Sequence, residues 1–155
     1  MKRSETNPFT VQAALEEDAA AILALADVHR DELGEIIHHR QWLLQQVIKG
    51  EVFVAKSGEG KVIGFAVFSH QSLREQENTT VYYLCTNKDH RGQGAGKLLM
   101  AAVASDARIC GKKTIDLKCP AHAPANHFYE SIGYELRRSE TDREGNRLNV
   151  WNVRL

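Results

Sequence analysis

Cysteine is scarce in this chain of 155 residues: Cys85, Cys110 and Cys119 are the only three. An odd number without CxxC spacing excludes a disulfide framework and a zinc ribbon, and is the pattern of a reducing compartment. Net charge is lacking too. Twenty Lys and Arg residues balance twenty Asp and Glu, so no overall field draws the chain to nucleic acid or to an anionic membrane surface. No apolar run is long enough to span a bilayer, and residues 1–8 hold no apolar stretch of the kind found in secretory leaders. These absences predict a cytoplasmic protein with no nucleic-acid or membrane partner. No repeat, low-complexity segment or linker interrupts the sequence. Its length suits one core, so a single domain over 1–155 is expected, with 1–8 a loose N-terminal segment.

What is there is an alternation of short apolar runs and helical patterns. Residues 9–14 read as a first strand. Asp18 is placed to cap a helix in which Ile22, Leu25, Ala26 and His29 recur at helical spacing. A second helix over 35–49 carries Ile36, Ile37, Leu43, Leu44, Val47 and Ile48 on one broad face, and Gly50 ends it. Residues 52–55 and 62–68 form a hairpin across the turn at 57–60. A strand over 79–86 leads through a glycine-rich loop into a helix with Leu98, Leu99, Ala102, Val103, Ile109 and Cys110 along one stripe, stopped by Gly111. A fifth strand at 114–119, a bend at 120–124, a short helix at 125–131 and closing strands at 134–138 and 148–154 complete the chain. In the last strand Leu148 and Val150 fall on one face and Trp151 and Val153 on the other, the mark of a buried strand or of a homodimer contact.

The loop carries the chemistry. His90-Arg91-Gly92-Gln93-Gly94-Ala95-Gly96-Lys97 stands between a strand and a helix start. Glycines let backbone N–H groups approach an anion closely, and a helix N-terminus adds unpaired donors and partial positive charge. A Walker A loop is excluded: three residues rather than four separate Gly92 from Gly96-Lys97, and Leu98 takes the hydroxyl position. A dinucleotide fingerprint needs a third glycine where Leu99 stands, and Asp116, at the distance of its ribose-binding acid, falls inside a strand. The pattern Arg91-x-x-Gly94-x-Gly96 instead resembles the pyrophosphate loop of the GNAT superfamily of N-acetyltransferases. Downstream, Ala125-Asn126-His127-Phe128-Tyr129-Glu130-Ser131-Ile132-Gly133-Tyr134 resembles the second segment of that signature. The resemblance covers residue 9 to the C-terminus.

It implies a mixed α/β (α+β), largely antiparallel sheet of about seven strands flanked by about four helices, with a splayed central strand pair. It also implies acetyl-CoA as co-substrate, without a metal, and an amine acceptor that is a small molecule or a peptide. The backbone of Leu84, Cys85 and Thr86 would pair with the pantetheine arm as an added strand. Arg91, Gly92, Gln93, Gly94, Ala95, Gly96 and Lys97 would hold the pyrophosphate, and Asn126 would reach the pantetheine, unless it is a local cap. Tyr129 matches the tyrosine that donates to the departing thiolate, with packing against the sheet as its alternative role. Relatives carry a glutamate near the position of Thr80. Here residues 78–87 hold no carboxylate, which leaves Glu77, His70 or a water relay as the general base. His122 stands where many relatives have asparagine.

Other residues are set aside. His38 and His39 are adjacent on a helix and diverge, and His90, His122 and His127 lack zinc-ligand spacing to the cysteines. Asp27, Asp31, Glu32 and Glu35 cluster where the resemblance places the acceptor wall, and would favour a cationic amine or simply face solvent. The expected function is acetyl transfer from acetyl-CoA to a primary amine by direct attack. A non-catalytic acyl-CoA-binding or sensing module on the same fold is the alternative.

Overall fold

The computed structural model describes residues 9–33, 40–71 and 76–155. One seven-stranded sheet runs through them: β1 (Phe9–Ala13), β2 (Val52–Ser57), β3 (Val62–Ser69), β4 (Asn78–Thr86), β5 (Thr114–Pro120), β6 (Glu135–Thr141) and β7 (Arg147–Arg154), in spatial order β1-β2-β3-β4-β5-β7-β6. Every neighbouring pair is antiparallel except β4 and β5. The α-helices are α1 (Ala19–Val28), α2 (Arg30–Leu33), α3 (Arg40–Ile48), α4 (Ala95–Ile109) and α5 (Ala125–Ser131). The expected element order is present, with one addition: α2, a single turn, which brings the helices to five.

Burial follows sheet position. All eight residues of β3 are buried, as its unbroken apolar run requires of a strand covered on both faces. On one face Ile63, Ala66, Phe68, Val81, Ile115, Leu117 and Trp151 pack against Leu99, Met100, Val103 and Ala107 of α4. On the other, Phe65, Val67 and Cys85 pack against Ile22, Leu25 and Ala26 of α1 and Leu43 and Val47 of α3. β6 is an outer edge, almost wholly exposed and rich in charge, a composition that discourages edge-to-edge pairing. β7 lies between β5 and β6, and its Trp151 packs into the cluster under α4 with its indole donating to Asn126.

Some expectations are corrected in detail. Asp18 does not cap α1 with its side chain. Its carboxylate accepts the N–H of Leu15 at 2.8 Å and pairs with Lys56 at 3.0 Å, because a 3₁₀ turn (Glu16–Asp18) runs straight into the helix. The buried stripe of α4 is Ala95, Leu99, Met100, Val103 and Ala107. Ile109 and Cys110 are exposed, since the helix ends at Ile109 past the edge of the sheet. Ile48 is likewise exposed in the last turn of α3, where Gln46 is buried instead and donates to the Phe68 carbonyl at 3.1 Å. Ile36 and Ile37 and the predicted start of that helix lie outside the described residues.

Candidate active site

The site begins with a gap in the sheet. The parallel ladder between β4 and β5 holds four pairs, Asn78–Thr114 to Val81–Leu117, and then stops. Beyond it β4 continues to Thr86 beside β3, and β5 continues to Pro120 beside β7. A bulge marks the parting: Val67 pairs with Tyr83 and Phe68 with Val81, which leaves Tyr82 as the extra residue of β4. A bulge bends its strand and raises the local twist, and here it turns β4 away from its parallel neighbour. The expected splay is therefore present. Leu84, Cys85 and Thr86 lie in the stretch without a partner on the β5 side, where backbone groups stand ready for an amide-bearing ligand.

The glycine loop closes the same end. After Thr86 a short 3₁₀ turn (Lys88–His90) leads to Arg91, and Gly92 and Gly94 take φ of 79° and 91°. These left-handed values, which favour glycine, aim the chain into α4. Gly94 is the N-cap of α4, and its carbonyl accepts the first helical bond from Leu98 at 3.0 Å. Among the described residues no amide from Gly92 to Lys97 donates to a protein acceptor. Gly96 leaves a cradle: a Cβ there would lie 3.4 Å from Phe128 and 3.5 Å from the Thr86 hydroxyl. The donors, the helix terminus and the cradle fit a pyrophosphate. Arg91 stands beside them, its Nε donating to the Thr86 carbonyl at 3.2 Å and its guanidinium gripping both oxygens of Glu32 at 3.0 and 2.8 Å. Glu32, on α2, thus holds the charge that the sequence assigned to the anion.

Tyr129 sits on α5 against this opening, 6 % exposed, its ring 5.4 Å from Phe128 and 6.1 Å from Tyr134 between centroids. Burial holds its hydroxyl pKa well above the usual phenol value, with Cys119 and Tyr134 adding to the shift. The hydroxyl has no hydrogen-bond partner among the described residues. It is thus a protonated donor with a free hydrogen. Cys119, on the separated end of β5, has its thiol pushed up to about 11 by burial, and Cys85 is pushed up to about 12, chiefly by burial. Neither is a ready nucleophile.

Asn126, expected either to reach the pantetheine or to act locally, is engaged by the protein. Its amide donates to the carbonyls of Pro120, Ala121 and Ala123 at 2.9, 3.3 and 2.7 Å, and its oxygen accepts from Asn149 at 3.1 Å and the Trp151 indole at 2.8 Å. Every donor and acceptor of the side chain is engaged within the protein, so Asn126 braces the bend before α5 against β7. Asn126→Ala should lower stability by roughly 1–3 kcal/mol, the cost of leaving the indole and amide groups unpaired; urea denaturation followed by Trp fluorescence measures it.

The structure does not bring Glu77 to the opening. It precedes β4, 65 % exposed and 3.1 Å from Lys113, four residues before Val81 and about 13 Å away along the strand at its usual rise. This placement argues against the expected base role. His70 is also turned away: its ring is held between the Thr79 hydroxyl and Asp106 of α4, both at 2.7 Å, on the α4 side of the sheet. His70, Asp106 and Cys110 bring ligand atoms within 4.8 Å of one another, a grouping that linear spacing concealed. His122 is exposed in the bend after β5. The sequence reading passed over Trp42, whose ring meets Tyr82 and Tyr83 edge-on at 5.5 and 6.0 Å where β4 parts from β5. Asp116 enters it only as the ribose-binding acid of a dinucleotide motif that does not fit. Strand register reveals Asp116, and the placement of α3 reveals Trp42.

A splayed parallel pair, a glycine loop at its mouth and a buried tyrosine beside it define an acyl-transfer site. The acetyltransferase (GNAT) domain matches residues 49–136, from just before β2 to the start of β6, and the chain belongs to that family. It is an acyltransferase of the N-acetyltransferase class. Its sequence is 23 % identical over 133 residues to L-amino acid N-acyltransferase MnaT of Escherichia coli, covering 84 % of this chain and 77 % of that protein. It is 32 % identical over 83 residues to streptothricin acetyltransferase of Streptomyces lavendulae, covering 53 % of this chain and 43 % of that protein. The solved structure of Ard1 from Thermoplasma volcanium superposes with a TM-score of 0.81 at 17 % identity, over 96 % of this chain and 98 % of that one.

Proposed function

We propose that the opening between β4 and β5 binds acetyl-CoA and presents its acetyl group to a small primary amine. The observation that carries this reading is the end of the parallel ladder at Val81–Leu117, on the same side as the unengaged amides of Gly92 to Lys97. The pantetheine amides extend β4 at Leu84 to Thr86, the pyrophosphate meets the start of α4, and Arg91 exchanges Glu32 for phosphate oxygens. Tyr129 donates its hydroxyl hydrogen to the sulfur as charge develops there. An amine acceptor is supported by the two relatives, which act on an L-amino acid and on streptothricin by their names. The catalytic reading is supported over a sensing module by the two relatives, whose names are those of acyltransferases. Three free cysteines suit a reducing cytoplasm.

The test is turnover of acetyl-CoA with a panel of amines: amino acids, polyamines, aminoglycosides and peptides. Acetylation of one class by the wild type supports the reading, and CoA binding without any transfer overturns it. Glu32→Gln should tighten CoA binding about two- to five-fold at low salt, because Arg91 is released and a carboxylate beside the anion is removed. The gain should fade as salt rises; calorimetry at two ionic strengths measures both.

A further inference from the structure

Asp116 lies on β5 in register with Thr80 of β4, one pair before the ladder ends. Side chains alternate along a strand. Val81, Ile115 and Leu117 join the cluster under α4, so Asn78, Thr80, Thr114 and Asp116 share the opposite face, the one covered by α1 and α3 over β2 to β4. On that face Trp42, Tyr82 and Tyr83 form an aromatic wall beside the opening.

The carboxylate is held from one side only. Its Oδ1 accepts from the Thr80 hydroxyl and the Asn78 amide, both at 2.9 Å, and the Thr114 hydroxyl donates to the Asn78 oxygen at 2.8 Å to fix that amide. Among the described residues Oδ2 has no donor and no Lys or Arg pairs with Asp116. The side chain is half-buried. Neutral donors thus orient one oxygen of the carboxylate and leave the second open. A cation suits an oxygen so placed, and the reaction brings one, because an alkyl amine with a pKa of about 10 arrives as ammonium.

We propose that Asp116 is the general base of this acetyltransferase, receiving the acceptor's ammonium at Oδ2 and taking its proton. The substrate class is a primary ammonium whose carbon frame lies against Trp42, Tyr82 and Tyr83. The N–H bond breaks and its proton passes to Oδ2. The freed nitrogen pair attacks the thioester carbonyl to form the C–N bond, the nitrogen gives its second N–H proton to water, and the C–S bond breaks with its electrons on sulfur. Sulfur takes a proton from the Tyr129 hydroxyl, and Asp116 and Tyr129 then re-equilibrate with water. The proposal rests on the acetyl-transfer reading above.

The experiment is the pH dependence of kcat/KM between pH 6 and 10 for wild type, Asp116→Asn and Thr80→Val, on the best amine of the panel, with CoA affinity of each by calorimetry. The amide oxygen introduced by Asp116→Asn can retain the Oδ1 contacts, so the fold and CoA affinity should persist. The kcat/KM of that variant at pH 7 should fall by roughly 10²–10³, with the deficit shrinking as pH approaches the amine's own pKa. Thr80→Val, which keeps the open oxygen, should lose far less and keep the wild-type profile. Asp116→Asn within two-fold of wild type at every pH would overturn the proposal. So would equal losses in both variants, or a loss of CoA affinity in Asp116→Asn that matches its loss of activity. A wild type that acetylates no amine would sink the acetyl-transfer reading and this one together, whereas an active wild type isolates the role of Asp116.

Discussion

Gly96→Glu should abolish CoA binding in a protein that still folds. Gly96 sits in the first turn of α4 without a left-handed φ, and a Cβ there makes ordinary contact with Phe128 and Thr86. Replacing glycine within a helix gains about 0.5–1 kcal/mol of propensity, and an acid in the first turn is favoured by the helix dipole. Thermal stability should therefore hold or rise. The carboxylate, however, takes the place and the donors that a pyrophosphate needs, and adds like charge. Losing two or three charge-assisted hydrogen bonds of about 1.5–3 kcal/mol each lowers affinity by at least about 10²-fold. Calorimetry with CoA measures it, and Gly96→Ala should keep most of the affinity. Unchanged affinity in Gly96→Glu would remove the loop from the cofactor site. Gly94→Glu is the poorer probe, because φ of 91° at Gly94 strains any side chain by roughly 1–2 kcal/mol.

Tyr129→Phe should lower kcat by roughly 10²–10⁴ with little change in CoA affinity or stability. The ring contacts to Phe128 and Tyr134 survive the change, and the hydroxyl has no partner among the described residues to lose. The obvious objection is that a phenol held above its usual pKa is a reluctant acid toward a thiolate of ordinary basicity. Preorganisation answers it: a hydroxyl aimed at the sulfur stabilises the charge that develops there by hydrogen bonding, whether or not the proton is fully transferred. Steady-state turnover on the acceptor from the panel decides it, and wild-type kcat in Tyr129→Phe would leave Tyr129 a packing residue.

The elements were legible because the local signals agree: β3 is an unbroken apolar run, Gly50 and Gly111 stop helices, and the glycine loop sits between strand and helix. Stripe ends were not, since Ile48 and Ile109 continue the apolar period beyond the surface that buries it. In the site, the loop and Tyr129 could be read from spacing within a motif. Asp116, Trp42 and the Glu32–Arg91 pair could not, because strand register and helix placement make them neighbours across 36, 40 and 59 positions, respectively, of sequence from Thr80, Tyr82 and Arg91. Asn126 carries two readings from its motif, toward the pantetheine or as a local cap, and spacing does not choose between them. The partners that β7 supplies, Asn149 and the Trp151 indole, come from late in the chain and are invisible to local spacing.

The short β4–β5 ladder has a mechanical consequence. The seven strands are two smaller sheets, β1 to β4 and β5-β7-β6, stitched along a seam only four residue pairs long. A ligand whose amides bridge the two strands lengthens that seam, and the folded state gains RT ln(1 + [L]/Kd), about 2.7 kcal/mol at a hundred times Kd. The amides of β4 and β5 near Val81 and Leu117 should then exchange fastest among the central strands in the free protein and slow most when CoA is added, because the co-substrate fastens the join at which the molecule most easily comes apart.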